Sequence, residues 1–290
     1  MNYFIIEKNK TSLLNKVFIK IENTNGILEL PVNLNDLYEK SKNKKIVEKY
    51  INKLVFKLKK IIKNDFVVLS KSITSNKKFV EELEKNNINI YNGKWLYKYI
   101  LKEIVEYILK EKKEIKENTE ISFLVNYIDD VVIENIKIFA KEYKRINIVT
   151  NHIERFRRIE EDLYNENGII ITISNNKRKS LAKLKIIINM DFPNELINKY
   201  NIYEKAIIIN LEDKIKINKK RFSGIIINDY TIELNEEFDI IDEYDKKEVF
   251  ESLIYRKDNF FNIRKDIEKN GLCISEVFGN NGIIKLQKLL

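Results

Sequence analysis

Between residues 120 and 234 the chain returns six times to a short apolar run rich in β-branched residues: ISFLV (121–125), INIVT (146–150), IIITIS (169–174), KIIINM (185–190), AIIINL (206–211) and GIIIN (224–228). Runs this short and this rich in isoleucine and valine read as strands rather than helices. Continuous apolar runs predict strands buried on both faces, as a parallel sheet requires. Parallel neighbours need crossovers, and two of the gaps carry helical periodicity, VVIENIKIFAKEY (131–143) and IERFRRIEEDLYNE (153–166); the later connections are shorter. With right-handed crossovers, the expected result is a doubly wound, mostly parallel sheet in the order 3-2-1-4-5-6. Its ligand sites would lie at the carboxyl ends of the strands.

The flanking segments have less regular rhythms. Residues 1–119 read as a smaller α/β (or α+β) domain. Strands at 16–22 (KVFIKIE) and 27–31 (ILELP) flank Thr24-Asn25-Gly26, where Asn-Gly supplies the positive φ of a tight hairpin. A helix is predicted over 45–63, where Val47, Ile51, Leu54, Leu58 and Ile61 recur at three- and four-residue steps. Strand 65–70, helix 76–85, strand 88–92 and one long helix over 94–113 follow, the last with Trp95, Tyr99, Ile100, Ile104 and Ile108 on its apolar stripe. Residues 235–290 begin with an acidic linker and carry helices near 245–257 and 259–269. These are expected to pack back on the first half and bridge the domains. Two apolar segments, LCISEVFG (272–279) and GIIKLQ (282–287), close the chain.

Composition narrows the chemistry. One cysteine, Cys273, and one histidine, His152, leave no internal disulfide and no Cys/His zinc site, so no metal is expected. No apolar run approaches the roughly 18–20 residues of a membrane-spanning helix. The opening MNYFIIEKNK also lacks the order of a signal peptide, so a cytoplasmic protein without a membrane partner is expected. The net charge of +9 invites a nucleic-acid reading. Lysines nevertheless alternate with glutamates on most helices, as in KEIVEYILKEKKEIKE (102–117), which is the look of a solvated face, and nucleic acid is not the expected partner. Among seven glycines there is no G-x-G, no P-loop and no nucleophile elbow.

Two stretches carry a family likeness: Val149-Thr150-Asn151-His152-Ile153-Glu154-Arg155-Phe156, and Ile188-Asn189-Met190-Asp191-Phe192-Pro193. They resemble the NAD(P)-binding Rossmann domain of the group that includes shikimate dehydrogenase and the amino-acid dehydrogenase-like domains. In that group the second strand ends in a small-polar-basic-polar step before a helix opening x-E-R-A, and the fourth strand runs on as I-N-A-T-P. The likeness covers residues 120–234. It implies a cofactor, NAD or NADP, along the strand ends. The candidate contacts are Asn126 and Tyr127 in the first turn, Asn151, His152 and Arg155 after the second strand, and Asn189 and Asp191 after the fourth.

The first turn departs from that group. A Rossmann turn needs glycine so that the pyrophosphate can approach the backbone and rest on the N–H groups of the helix start. Here it reads Val125-Asn126-Tyr127-Ile128-Asp129-Asp130-Val131, with no glycine. Asp129 and Asp130 supply the negative charge that the helix dipole would otherwise draw from a phosphate, and one of them can cap the helix. Asn151 stands where the group carries an arginine for the adenosine phosphate. The group's catalytic lysine–aspartate pair has no matching motif in 1–119, so no catalytic residue is assigned. NAD or NADP is the only candidate cofactor, and it is expected to be absent.

Each candidate also has a plainer reading. His152 can be a solvent-facing residue at a helix start. Arg155, Arg157 and Arg158 can belong to an ion-pairing helix face with Glu154, Glu160 and Glu161. Asn189 and Asp191 can form a turn bonded to local backbone. The expected protein is a two-domain α/β chain with a degenerate Rossmann-like domain, binding an unidentified small molecule or a protein in the interdomain cleft. The alternatives are an NAD(P)-dependent oxidoreductase acting on a small polar metabolite, and a nucleic-acid-binding protein.

Overall fold

The computed structural model describes residues 2–8, 19–40, 43–143, 145–235, 242–255 and 259–286. Two compact units emerge, Met1–Leu96 with Glu236–Lys257, and Tyr97–Asn235 with Asp258–Leu290. Among the described residues no helix is long and apolar enough to cross a membrane.

The first unit opens with β1 (Tyr3–Glu7), β2 (Glu22–Thr24), β3 (Ile27–Leu30), α1 (Leu34–Lys40), α2 (Lys44–Ile62), β4 (Phe66–Leu69), α3 (Lys71–Ser75), α4 (Lys77–Lys85), β5 (Asn89–Ile90) and α5 (Lys94–Tyr97). Its sheet has the order β2-β3-β1-β4-β5. The pair β2–β3 is an antiparallel hairpin turning at Asn25 and Gly26, with φ of 52° and 89°, and the other pairings are parallel. In α2 four residues of the predicted stripe, Val47, Ile51, Leu54 and Leu58, are buried, whereas Ile61 is only half-buried and Ile62 takes the inward position at that end.

Three expectations for residues 1–119 need correction. The strand foreseen over 16–22 begins only at Glu22; residues 16–18 lie outside the described residues and 19–21 are unpaired. The middle strand of the sheet, β1, was not expected from the sequence, although Ile5 within it is fully buried. The long helix of 94–113 is two helices, α5 and α6 (Leu101–Lys112). The break has a physical cause in the side chains that capture its carbonyls. Asn135 Nδ2 donates to the Lys98 carbonyl at 2.9 Å, and Arg264 Nη1 donates to the Tyr99 carbonyl at 2.8 Å. Those acceptors would otherwise hold the next helical turn.

The second unit continues through β6 (Glu120–Leu124), α7 (Asp130–Glu142), β7 (Arg145–Val149), α8 (Ile153–Asn167), β8 (Ile171–Ser174), β9 (Ile186–Asn189), α9 (Asn194–Ile197), β10 (Ile207–Asn210), β11 (Ile225–Ile227) and β12 (Asp229–Glu233). After α10 (Lys246–Ile254), which belongs to the first unit, it resumes with α11 (Phe260–Lys269), β13 (Cys273–Gly279) and β14 (Gly282–Ile283). Its main sheet runs β11-β10-β9-β6-β7-β8 with every pairing parallel. Counted from β6, this is the predicted order 3-2-1-4-5-6 read from its other edge, a Rossmann-like α/β fold. The apolar segments near the C-terminus supply β13 and β14, which join β12 in a small antiparallel sheet of the order β12-β13-β14.

The expectation that all six strands are buried on both faces fails at one edge of the sheet. In β7 and β8 the side chains alternate. Ile146, Ile148 and Ile171 share a buried face with Ile121 and Phe123 of β6, and there the rings of Phe123 and Phe139 of α7 meet edge to face at 5.4 Å. Asn147, Thr172 and Ser174 point the other way and are not buried. By contrast β9 and β10 are buried along their whole length.

Candidate functional site

The parallel pairing carries β6, β7 and β9 side by side to the same end of the sheet, and the residues just past them meet there. The ladder persists one step beyond the strands, with the Val125 N–H on the Val149 carbonyl at 3.0 Å and the Met190 N–H on the Leu124 carbonyl at 3.0 Å. The chain then turns toward α7. At its start Asp129 has extended backbone (φ −132°, ψ 173°), and its carboxylate accepts the Val132 N–H at 2.8 Å. This is the N-cap expected of Asp129 or Asp130.

Two N–H groups of the turn itself are also taken. Asp191, just past β9, accepts the Asn126 N–H at 2.8 Å and the Tyr127 N–H at 2.7 Å. Burial pushes the Asp191 carboxyl above the ordinary range, while the N–H groups of Tyr127 and Asn126 and the nearby His152 and Lys98 hold it back. Asn126 turns its side chain to the neighbouring strand end. Its Oδ1 accepts the Asn151 N–H at 2.9 Å, and the buried Thr150 Oγ1 accepts the His152 N–H at 3.0 Å. Three strand ends are thereby tied together by Asp191 and Asn126.

Asn189 has a different surrounding from Asp191. It is fully buried, with Oδ1 accepting the Phe192 N–H at 2.9 Å and Nδ2 donating to Asn210 Oδ1 at 2.8 Å. The chain of amides goes on, because Asn210 Nδ2 donates to Asn228 Oδ1 at 2.9 Å and Asn228 Nδ2 to Asn280 Oδ1 at 3.0 Å. Asn189 thus bonds neighbouring strand ends and presents no polar group outward. By contrast Tyr127, Asn151, His152 and Arg155 are exposed. The side chains of Asn151, His152 and Arg155 make no hydrogen bond or ion pair among the described residues.

So the predicted residues divide into three sets. Asn126 and Tyr127 meet Asp191 through their N–H groups, Asn151, His152 and Arg155 stand exposed after β7, and Asn189 belongs to the buried amide chain. Sequence reasoning missed Thr150 as an acceptor, Lys98 as a charge near Asp191, and Asn210 and Asn228. The last two had a visible signal, since three consecutive runs all close in isoleucine followed by asparagine. As a whole, this end of the sheet offers aromatic, amide, imidazole and guanidinium groups outward. The N–H groups of Asn126, Tyr127 and Val132 in the first turn and helix start are held by the protein's own carboxylates.

No protein-family model and no curated protein matches the chain. Among solved structures it is similar to a dipicolinate synthase subunit from Bacillus halodurans, at 11% identity over 72% of this chain and 80% of that one, with a TM-score of 0.35. It is also similar to ornithine carbamoyltransferase from Pyrococcus furiosus, at 12% identity over 87% of this chain and 80% of that one, TM-score 0.29. A glutamate dehydrogenase matches at 11% identity over 78% of this chain and 63% of that one, TM-score 0.29. Likenesses this distant carry no argument about function, and the Rossmann-like assignment stands on the strand order and parallel ladders themselves.

Proposed function

We propose that the parallel sheet of the second unit is a Rossmann-like domain, akin to that of the shikimate dehydrogenase and amino-acid dehydrogenase-like group, that has given up the dinucleotide. In this reading it binds a different ligand, a small molecule or a protein segment, through Tyr127, Asn151, His152 and Arg155 at the open end of the sheet. The observation that carries the reading is Asp191. A pyrophosphate in this turn would need the N–H groups of Asn126 and Tyr127, and a carboxylate already holds both. Asp129 holds a third, that of Val132. Each contact between a bound phosphate and one of these carboxylates would cost on the order of 1 kcal/mol or more in a partly screened cleft.

Titration of the whole chain with NAD and with NADP, followed by calorimetry or thermal shift, tests the proposal. The expected result is no binding at micromolar concentrations of either. A ligand at a hundred times its Kd stabilises the fold by about 2.7 kcal/mol, so a micromolar binder would be plain to see. Such a shift with the native chain would overturn the reading in favour of an NAD(P)-dependent oxidoreductase. Asp129→Asn combined with Asp191→Asn removes both charges while keeping an acceptor at each position. It should tighten cofactor binding by about tenfold or more if the carboxylates are the obstacle.

A further inference from the structure

In a doubly wound sheet each crossover normally lays a helix on the strands it spans. Between β8 and β9 this chain has none, and residues 177–183 run as turns. Leu181 and Leu184 from this connection reach the middle of the sheet, where they pack with Leu124, Val149 and Ile187. The far side, over β7 and β8, is left open as a groove of about 600 Å³.

The floor of the groove is mixed: Asn147, Thr172 and Ser174 supply polar groups on the face opposite Ile146, Ile148 and Ile171, and Val149, Ala182 and Leu184 supply apolar surface beside them. Asn147 makes no side-chain hydrogen bond among the described residues. One wall is basic. Arg178, Lys179 and Lys183 line it, and none of them has an ion-pair partner among the described residues. That wall is locally built. Asn176 Oδ1 accepts the N–H groups of Arg178 and Lys179 at 3.0 and 3.1 Å, and the Ser174 and Ser180 hydroxyls meet at 2.8 Å. Glu120, the acid at the groove's edge, lies 3.6 Å from Arg145 and is partly neutralised there.

We propose that this groove is a second binding site, for a small phosphorylated metabolite with a hydroxyl-bearing body. The charge selects the anion. Three cations without a protein counter-ion favour a phosphate, which carries more charge and more acceptor oxygens than a carboxylate. The floor selects the remainder: Asn147 and Thr172 can meet the hydroxyls of a sugar-like body, while Val149, Ala182 and Leu184 meet its carbon face. The size agrees with both, since small-ligand pockets span roughly 300–1,000 Å³. This site is distinct from the strand ends where Asp191 lies.

The test is calorimetric titration of the whole chain, at about physiological ionic strength, with ribose 5-phosphate, glucose 6-phosphate and 3-phosphoglycerate. Ribose and inorganic phosphate serve as controls, and lysine acylation read by mass spectrometry locates the site. At least one phosphorylated probe should bind more tightly than inorganic phosphate, and ribose should not bind. That probe should shield Lys179 and Lys183 from acylation, but not the exposed Lys60. Lys179→Ala with Lys183→Ala, both exposed positions, should weaken binding about tenfold or more. Thr172→Val should weaken it by a smaller factor, and Asp191→Asn should leave it unchanged. The proposal is overturned if none of the three probes binds, or if inorganic phosphate binds as tightly as they do. It is equally overturned if the lysine substitutions have no effect.

Discussion

The two halves of the parallel sheet follow the same backbone rules but differ in what covers them. In β9 and β10 every residue is buried, and their one face is closed over by Leu181, Phe192, Ile197 and Tyr200. In β7 and β8 one face is apolar, and the other carries Asn147, Thr172 and Ser174 beside the buried Val149. The difference teaches that a parallel sheet does not need two apolar faces along its whole width. It needs an apolar residue wherever a helix or loop lies above, and a missing helix between β8 and β9 relaxes that demand over two strands.

The contrast should be largest in the response to core truncation. Phe123 is fully buried on the covered face and packs against Phe139. Phe123→Ala should lower unfolding free energy by about 3–5 kcal/mol, the transfer and cavity cost of a lost aromatic ring. Denaturant titration measures it. A loss below about 1 kcal/mol would mean that the covered face is far looser than its burial indicates.

Next in size is the amide chain of the other half. Asn210 is buried and bonded to both Asn189 and Asn228. Asn210→Leu removes both bonds and should cost roughly 2–4 kcal/mol, because each orphaned buried group loses about 1–3 kcal/mol. Truncating Asn189 and Asn210 together to alanine should cost less than the sum of the single changes, by about 0.5–3 kcal/mol, if the two act as one unit. Strict additivity would show that the chain of amides is only a set of separate turns.

These two effects also mark what could be read from the sequence. The alternation was present in INIVT and ITIS, where isoleucine and polar residues trade places, yet the density of isoleucine hid the period. The asparagines closing KIIIN, AIIIN and GIIIN were equally visible, but their mutual bonding depends on strands lying adjacent, which only the strand order supplies. Asp191 was singled out, but its attachment could not be. It bonds Asn126 across 65 positions of chain, and nothing local in either segment announces the other. The break before α6 is of the same kind, since Arg264 reaches Tyr99 across 165 positions.

A smaller effect belongs to Asp191, where the two halves of the sheet join. Burial holds its carboxyl above the ordinary range. The folded chain therefore binds this proton more tightly than the unfolded chain does. That contribution is fully present below the usual aspartate pKa of about 4, and it is lost as pH rises through the folded-state value. Measured against Asp191→Asn, the native chain should gain relative stability as pH falls from neutrality toward about 4. A difference that is independent of pH, or that moves the other way, would show that the N–H groups of Asn126 and Tyr127 outweigh burial.

The smallest effect should come from the open face, and its smallness is informative. Thr172 lies in the edge strand β8, exposed, on the polar side shared with Asn147 and Ser174. Thr172→Val keeps the shape and the β-branching while removing one hydroxyl. At a covered position the exchange would matter, since a buried hydroxyl leaves a partner behind or a methyl fills a polar slot. At an uncovered one the hydroxyl only exchanges bonds with water, so the change should stay within about 0.5 kcal/mol of the native stability. Parallel unfolding curves for the two chains would check it. A loss of more than about 1 kcal/mol would mean that Thr172 holds a buried bond and that this half of the sheet is closed after all. A neutral result keeps the face open, and it makes Thr172→Val a folded, native-like protein in which to measure what the hydroxyl contributes to binding.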